Sequence, residues 1–265
     1  MRNLRALIAY DGTEFFGWQR QDGFDSVQQR IEEAVSGLVG DHVVVHGAGR
    51  TDTGVHALGQ VAHFHVDSAL ADDRLRHALN HYLPPAIVIR RLETCGDAFH
   101  ARFSARGKRY LYRVATARFR PPFGRAYAHW VREPLDFAAM REGARALLGR
   151  HDFSAFASSG SPRSSNVRTV ARIRWLARRE GFAFVIEGDG FLYNMVRAVA
   201  GTLIDVGRAR LEPAAVGRIL ASGDRREAGP TAPAAGLFLL RVRYDEPLFA
   251  GRDRGARGAP GLFRY

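Results

Sequence analysis

Along the first ten residues the apolar positions fall two apart. Leu4, Ala6, Ile8 and Tyr10 share one parity, and Asp11-Gly12-Thr13 closes the run. Period two is the mark of a strand with one buried face. The spacing then changes to that of a helix: Val27, Ile31, Ala34, Val35 and Leu38 share a face, with Ser26 as N-cap, Gln29 in the reciprocal capping position and Gly40 near the exit. Residues 43–46 and 61–66 read as strands, 73–83 as a helix that must stop before Pro84-Pro85, and 87–92 as a fourth strand. Strand, helix, strand, strand, helix, strand is the split βαβ, or ferredoxin-like, order.

The same order recurs further on. Residues 109–115 form a strand with Tyr110, Tyr112 and Val114 on one side. Asp136 caps a helix carrying Phe137, Met140, Ala144, Leu147 and Leu148, with Gly149 just beyond it. Residues 170–176 and 182–187 read as a hairpin around Gly181, and 191–206 as an apolar helix with Met195, Val199 and Leu203 near one stripe. A shorter helix at 213–220 follows, and 236–244 is a last strand alternating Phe238, Leu240, Val242 and Tyr244. The pattern predicts an α+β protein of two ferredoxin-like (βαββαβ) halves with antiparallel sheets, at 1–104 and 105–250, without a residue-level repeat between them. Residues 160–166 read as an exposed serine-rich loop, and the Gly- and Arg-rich residues 251–265 as a mobile tail.

Charge narrows the class of partner. The 265-residue chain has 39 Lys and Arg against 27 Asp and Glu, a net charge of +12, and most of the cations are arginines. The guanidinium fork suits phosphate, so a polyanion is expected, with nucleic acid ahead of an anionic membrane. A single cysteine, Cys95, rules out an intrachain disulfide framework and multi-cysteine metal sites. His63 and His65 share a strand face, but no pattern supplies the rest of a ligand set, so no metal is expected. With no apolar segment long enough for a bilayer, and a first strand starting almost at Met1, the expectation is a soluble, cytoplasmic protein.

The chemistry concentrates between the second and third strands, in Gly47-Ala48-Gly49-Arg50-Thr51-Asp52-Thr53-Gly54-Val55-His56. A connector there needs only about 2–5 residues, so this one is longer than topology demands and crowded with polar groups. It lacks the lysine of a phosphate-binding nucleotide loop and the spacing of a dinucleotide fingerprint. Asp52, beside Arg50, can serve as nucleophile, general base or electrostatic group, or can simply accept backbone hydrogen bonds in a turn. Arg50 can bind phosphate or orient Asp52, or be a solvated surface cation. His56 reads as a structural or RNA-facing residue. Lys108-Arg109-Tyr110 interleaves a ring with cations, which suits a base and its phosphates as well as it suits sheet packing; for Tyr112 the core reading is preferred. Arg197 stands in an otherwise apolar helix, where burial would demand a carboxylate or phosphate partner and a solvent-facing edge would demand none.

Gly49-Arg50-Thr51-Asp52-Thr53-Gly54-Val55-His56 resembles the catalytic motif of the tRNA pseudouridine synthase A family. Tyr10-Asp11-Gly12-Thr13, Phe16-Gly17-Trp18-Gln19-Arg20-Gln21, Ala101-Arg102-Phe103-Ser104-Ala105, Lys108-Arg109-Tyr110, Met195-Val196-Arg197 and Pro233-Ala234-Ala235-Gly236-Leu237 follow in the family's order. Thr53 stands where the family's common pattern has alanine. The resemblance implies isomerisation of uridine to pseudouridine in the anticodon stem-loop of tRNA, at positions 38, 39 and 40, by a homodimer using neither metal nor organic cofactor. A synthase acting at another RNA site, or a non-catalytic RNA-binding protein, are the alternatives. By motif, Asp52 resembles the catalytic aspartate (nucleophile or base), Arg50 the neighbouring substrate-positioning arginine, Tyr110 the tyrosine that stacks on uracil with a possible proton transfer, and Arg197 the arginine paired with the aspartate. Arg20, Gln21, His56, Arg102, Lys108 and Arg109 are the expected RNA contacts, and the two halves are expected to form a central basic RNA-binding cleft.

Overall fold

The computed structural model describes residues 1–158 and 165–249. Most of the serine-rich loop expected at 160–166, and the tail at 251–265, lie outside the described residues. Ten strands and five α-helices are present among those residues, the strands pairing both parallel and antiparallel, which makes the protein α+β. The chain divides into two compact units: Met1–Arg106 together with the described residues from Phe238, and Gly107–Leu237. Among the described residues no helix is long and apolar enough to cross a membrane.

The first unit runs β1 (Arg2–Tyr10), α1 (Val27–Val39), β2 (His46–Gly47), β3 (His56–Val66), α2 (Asp72–Tyr82), β4 (Ile87–Cys95). Strand β1 lies between β4 and β3, antiparallel to both, with Ala6 opposite Leu92 on one side and Ala62 on the other. The period-two face is the sealed one: Leu4, Ala6 and Ile8 are fully buried and Tyr10 nearly so. Val27, Ile31 and Val35 of α1 and Leu75 and Leu79 of α2 are equally inaccessible, each such side chain contributing about 1.5–3 kcal/mol of transfer free energy. Ser26 caps α1 by accepting the Gln29 N–H at 3.3 Å, and Gly40, at φ 75°, closes it. The Gln29 side chain does not reach back to complete a capping box; it donates to Glu33 at 2.8 Å.

The strand expected at 43–46 shrinks to His46–Gly47, and the cause is α1. The Val43 N–H donates to Ser36 Oγ, the Val45 N–H to Glu32 Oε1, and the Val45 carbonyl accepts from Gln28 Nε2. Helix side chains have taken the groups that a ladder would need. The third strand, expected from residue 61, starts five residues earlier, at His56. Its first residues pair in parallel with β10 (Leu237–Arg243), Phe238 opposite His56, while β2 pairs antiparallel further along, Gly47 opposite Ala62. Chain order alone placed this last strand in the second half, whereas its packing places Phe238 onward with the first unit.

The second unit contains β5 (Gly107–Ala115), β6 (His129–Trp130), α3 (Phe137–Ala144), β7 (Gly149–Asp152), β8 (Val167–Arg178), β9 (Gly181–Gly188), α4 (Met195–Gly207) and α5 (Ala215–Ser222). Strands β5, β9, β8 and β7 are neighbours in that order and antiparallel, and β6 runs parallel to β5. Asp136 caps α3 through the Ala139 N–H at 3.0 Å, but the helix stops at Ala144, short of the expected Leu148. A 3-10 turn follows, and Gly149, at φ 102°, leads into β7, a strand too short to show a period. Helix α4 begins at Met195 rather than at 191 because Asn194 sits in the left-handed region at φ 61°. It is buried on every side except at Arg197. Gly201 makes that possible, since a Cβ there would lie 1.7 Å from the Pro230 carbonyl oxygen.

Candidate active site

Residues 48–55, between β2 and β3, are fixed by hydrogen bonds to their backbone from several directions. Ala48 N–H donates to Val61 O (2.7 Å), Gln60 Nε2 to Gly49 O (2.9 Å), Trp18 N–H to Thr51 O (3.0 Å) and Gly54 N–H to Phe15 O (3.3 Å). A turn closed by Val55 N–H to Asp52 O (3.1 Å) places Asp52 at its start. Two glycines permit this approach. A Cβ on Gly12 would lie 2.1 Å from the Val55 carbonyl oxygen, and one on Gly17, at φ 87°, 2.4 Å from that of Thr51. The segment Phe15–Trp18, read from sequence only as an aromatic loop, is therefore a clamp across the candidate catalytic loop, and the Trp18 ring packs directly on Gly47.

Beneath the loop lies Tyr10, 4% exposed, its hydroxyl 2.7 Å from Thr51 Oγ1. Burial pushes its phenol well above the ordinary value; hydrogen bonding to Thr51 and Gln60 pulls it back, and the Asp52 charge pushes it further up. The phenol is thus neutral at any physiological pH and the Asp52 carboxylate is close enough to be felt there. Asp52 is half-buried, while Arg50 and Thr53 are exposed. This gives a carboxylate on a stiff loop, able to act as a nucleophile or a base, with a solvent-facing guanidinium two residues away. Tyr10, Thr51 and Gln60 were not singled out from the sequence: the alternation of β1 marks Tyr10 as core, which it is, and nothing in that pattern reveals where its hydroxyl goes.

The expected RNA contacts of this unit sit in different settings. His56 opens β3 at 2% exposure, its Nδ1 3.1 Å from both the Gly12 N–H and Asp11 Oδ1, its ring stacked on Phe238 at 4.7 Å. Of its two readings this favours the structural one. Arg20 pairs with the buried Glu32 at 3.2 Å, and Gln21 is exposed beside Phe24. Arg102 is exposed with its guanidinium over the Phe103 ring.

His63 is nearly inaccessible and lies against His46 and His100, at ring separations of 5.0 and 4.4 Å. Its Nδ1 accepts the Ala101 N–H, which requires a neutral ring at that nitrogen. Burial first, and then the positive charges His100 and His46 acquire, lower its pKa to about 4. Among the described residues no group of three or more His, Cys, Asp or Glu side chains is placed to hold a metal ion. Because the His63 pKa is lowered on folding, the unfolded chain binds a proton that the folded chain refuses, so stability is full above the unfolded value of about 6.5 and drains as the pH falls toward 4. Calorimetric melting from pH 7 to 5 should show the wild type losing more than His63→Phe; parallel curves would remove His63 as the cause.

In the second unit, Tyr110 lies on β5 opposite Ile186, 7% exposed, with Phe191 edge-on at 5.2 Å and 86°. Neighbouring Lys108 is half-buried, and Arg109 is paired across the strands with Glu187 at 3.0 Å. Tyr112 is fully buried and donates to the Pro233 carbonyl at 2.9 Å, the core role expected of it. Arg197 is fixed from two sides. Its Nε donates to Ala232 O (2.8 Å) while its own carbonyl accepts the Ala232 N–H (3.1 Å), and a terminal guanidinium nitrogen donates to Asn194 Oδ1 (2.8 Å). Asn194, left-handed and anchored to Ser158 Oγ at 3.0 Å, had no assigned role in the sequence. The helix expected from 191 took Asn194 into its first turn; the structure puts it just before Met195, where its side chain holds Arg197.

Comparison with known proteins matches residues 6–104 and 144–245 to the profile of tRNA pseudouridine synthases. A tRNA pseudouridine synthase A of Acetivibrio thermocellus is 46% identical over 244 residues, covering 92% of this chain and all of that protein. Namesakes from Thermoanaerobacter sp. (strain X514) and Geobacillus kaustophilus are 43% and 44% identical, again over 92% of this chain and over 100% and 95% of theirs.

Proposed function

Because this chain belongs to the tRNA pseudouridine synthase family, a family of isomerases, we propose that it converts uridine to pseudouridine in the anticodon stem-loop of tRNA, at positions 38, 39 and 40. The observation that carries the reading is Asp52, a half-buried carboxylate on a loop clamped by Gly12, Gly17 and four hydrogen bonds to its backbone, within the stretch 49–56 that matches the catalytic motif. Phosphate binding alone has no use for a carboxylate there.

The reaction breaks N1–C1′, leaving the electron pair on uracil. The ring turns, C5 bonds to C1′, the C5 proton departs and N1 ends protonated, so substrate and product are isomers. The target base must first leave its stack. Asp52 either bonds to the sugar and is displaced when C5 attacks, or removes a ribose proton and returns it; both routes begin from the ionised carboxylate. In this reading Arg50 positions the substrate, Tyr110 stacks on the uracil and assists at C5, and Arg197 is the ion-pair partner of Asp52, as its motif assigns. Arg20, Gln21, Arg102, Lys108 and Arg109 contribute to RNA binding, with the Glu32 and Glu187 pairs of Arg20 and Arg109 to be exchanged or shared on binding. The proposal extends to a cytoplasmic homodimer without metal or organic cofactor, and to ferredoxin-like halves flanking a basic cleft. The order β4-β1-β3 with β2 beyond β3 supports the first of those halves.

Pseudouridine mapping of tRNA incubated with the purified protein tests the assignment. Modification confined to positions 38, 39 and 40 is expected. New pseudouridine only at other positions would replace the site specificity, and none in any tRNA would overturn the activity.

A further inference from the structure

From Ala98 to Arg132 the chain has nine Arg and Lys residues and no Asp or Glu. In the middle of this span β5 ends at Ala115, and the chain returns beside it as β6, Ala115 opposite Trp130. The base of the intervening loop is pinned by Thr116 N–H to Glu180 O (3.1 Å), Trp130 Nε1 to Ala117 O (2.9 Å) and Val131 N–H to Ala115 O (2.8 Å). Its tip is Arg118-Phe119-Arg120-Pro121-Pro122-Phe123-Gly124-Arg125. Phe119 is 75% exposed, and Phe123, at 91%, is the most exposed of the large hydrophobic side chains among the described residues. Arg118 lies over the Phe119 ring at 5.3 Å, and Arg120 and Arg125 are also exposed.

Two phenyl rings held in water on a pinned loop are unfavourable unless something covers them. Pro121 and Pro122 restrict the backbone between the rings, and Gly124, at φ 71°, turns the chain so that Tyr127 N–H closes on its carbonyl at 2.9 Å. Such a tip has less freedom to lose on binding. The alternation of ring and cation along it matches a partner that alternates flat apolar faces with negative charges, which is single-stranded nucleic acid. The acid-free stretch of sequence that carries it favours that polyanion over a protein of mixed charge.

We infer that this loop is a further RNA contact, in which Phe119 and Phe123 stack on unpaired bases while Arg118, Arg120 and Arg125 meet the flanking phosphates. The inference rests on tRNA being the substrate. Phenyl rings and guanidinium groups supply neither a nucleophile nor a base, so the loop is assigned to affinity rather than to the chemical step.

The test uses the full chain and unmodified tRNA. Phe119→Ala/Phe123→Ala should bind tRNA about thirtyfold or more weakly at fixed salt, as expected from losing two stacked bases. Single-turnover isomerisation at saturating protein should be unchanged. Phe123→Trp should show tryptophan emission quenched on adding tRNA, beyond the change seen in the wild type. Unaltered affinity together with unquenched emission would overturn the inference. So would a double variant with normal tRNA affinity and altered self-association by sedimentation, which would make the tip a protein contact. If the wild type binds tRNA but isomerises nothing, the catalytic reading fails while the affinity comparison still decides this one.

Discussion

Asp52→Asn should bind tRNA nearly as tightly as the wild type, melt at nearly the same temperature, and lose at least about a thousandfold in isomerisation, in the range expected when a positioned acid–base or nucleophilic group is removed. The separation follows from how the loop is held. Its fixing bonds are Trp18 N–H to Thr51 O, Gly54 N–H to Phe15 O, Val55 N–H to Asp52 O and Gln60 Nε2 to Gly49 O. None of these uses the Asp52 carboxylate, so an amide of the same shape leaves them intact. Binding is spread over many cations in a chain of net charge +12, so one neutralised carboxylate changes it little, and in the favourable direction. Chemistry is not spread in that way: asparagine has neither the charge to bond to C1′ nor the basicity to take a ribose proton. Release of tritium from C5-labelled uridine in tRNA, measured beside filter binding, separates the two effects. Near-normal release would reassign Asp52 to the turn that its backbone carbonyl already closes.

What the sequence revealed depended on whether the partner of a residue was local. Strand β1, helix α1 and the β8–β9 hairpin were legible because their periodicity and caps are written within each segment: Leu4, Ala6 and Ile8 are fully buried, and Ser26 does accept its N–H. Strand residues 43–45 failed because Glu32 and Gln28, buried polar side chains of α1, capture their backbone groups. A sequence pattern shows Glu32 only as one more charge on a helix. The start of β3 at His56 failed for another reason, since its partner Phe238 lies far along the chain. The candidate site divides the same way. Asp52 and Arg50 announce themselves through the motif at 49–56. The roles of Tyr10 under Thr51, Gly17 against the Thr51 carbonyl, and Asn194 beside Arg197 are statements about approach and backbone angle, which residue type alone does not carry.

Tyr110 provides the second large effect, and its two substitutions report different things. The ring is 7% exposed and edge-on to Phe191, so Tyr110→Ala opens a cavity in the second unit as well as removing a stacking face. Truncating a buried aromatic to alanine costs about 3–5 kcal/mol of stability, enough to lower activity for reasons unconnected with uracil. Tyr110→Phe avoids this, because the ring, its contact with Phe191 and the pairing with Ile186 all remain and only the hydroxyl goes. If stacking were the whole contribution, worth about 1–3 kcal/mol per base, phenylalanine would turn over nearly as well as tyrosine. In the proposed mechanism a proton must leave C5 after the ring has turned, and the Tyr110 hydroxyl is the group assigned to assist there. Tyr110→Phe is therefore expected to bind tRNA like the wild type and, at a temperature where its melting curve shows it folded, to lose at least about a hundredfold in single-turnover rate, the lower range for removing an acid–base group. Wild-type turnover by the phenylalanine variant would confine Tyr110 to stacking. Wild-type turnover by the alanine variant, at a temperature where its melting curve shows it folded, would return Tyr110 to the sheet position that its alternation with Tyr112 and Val114 already explains.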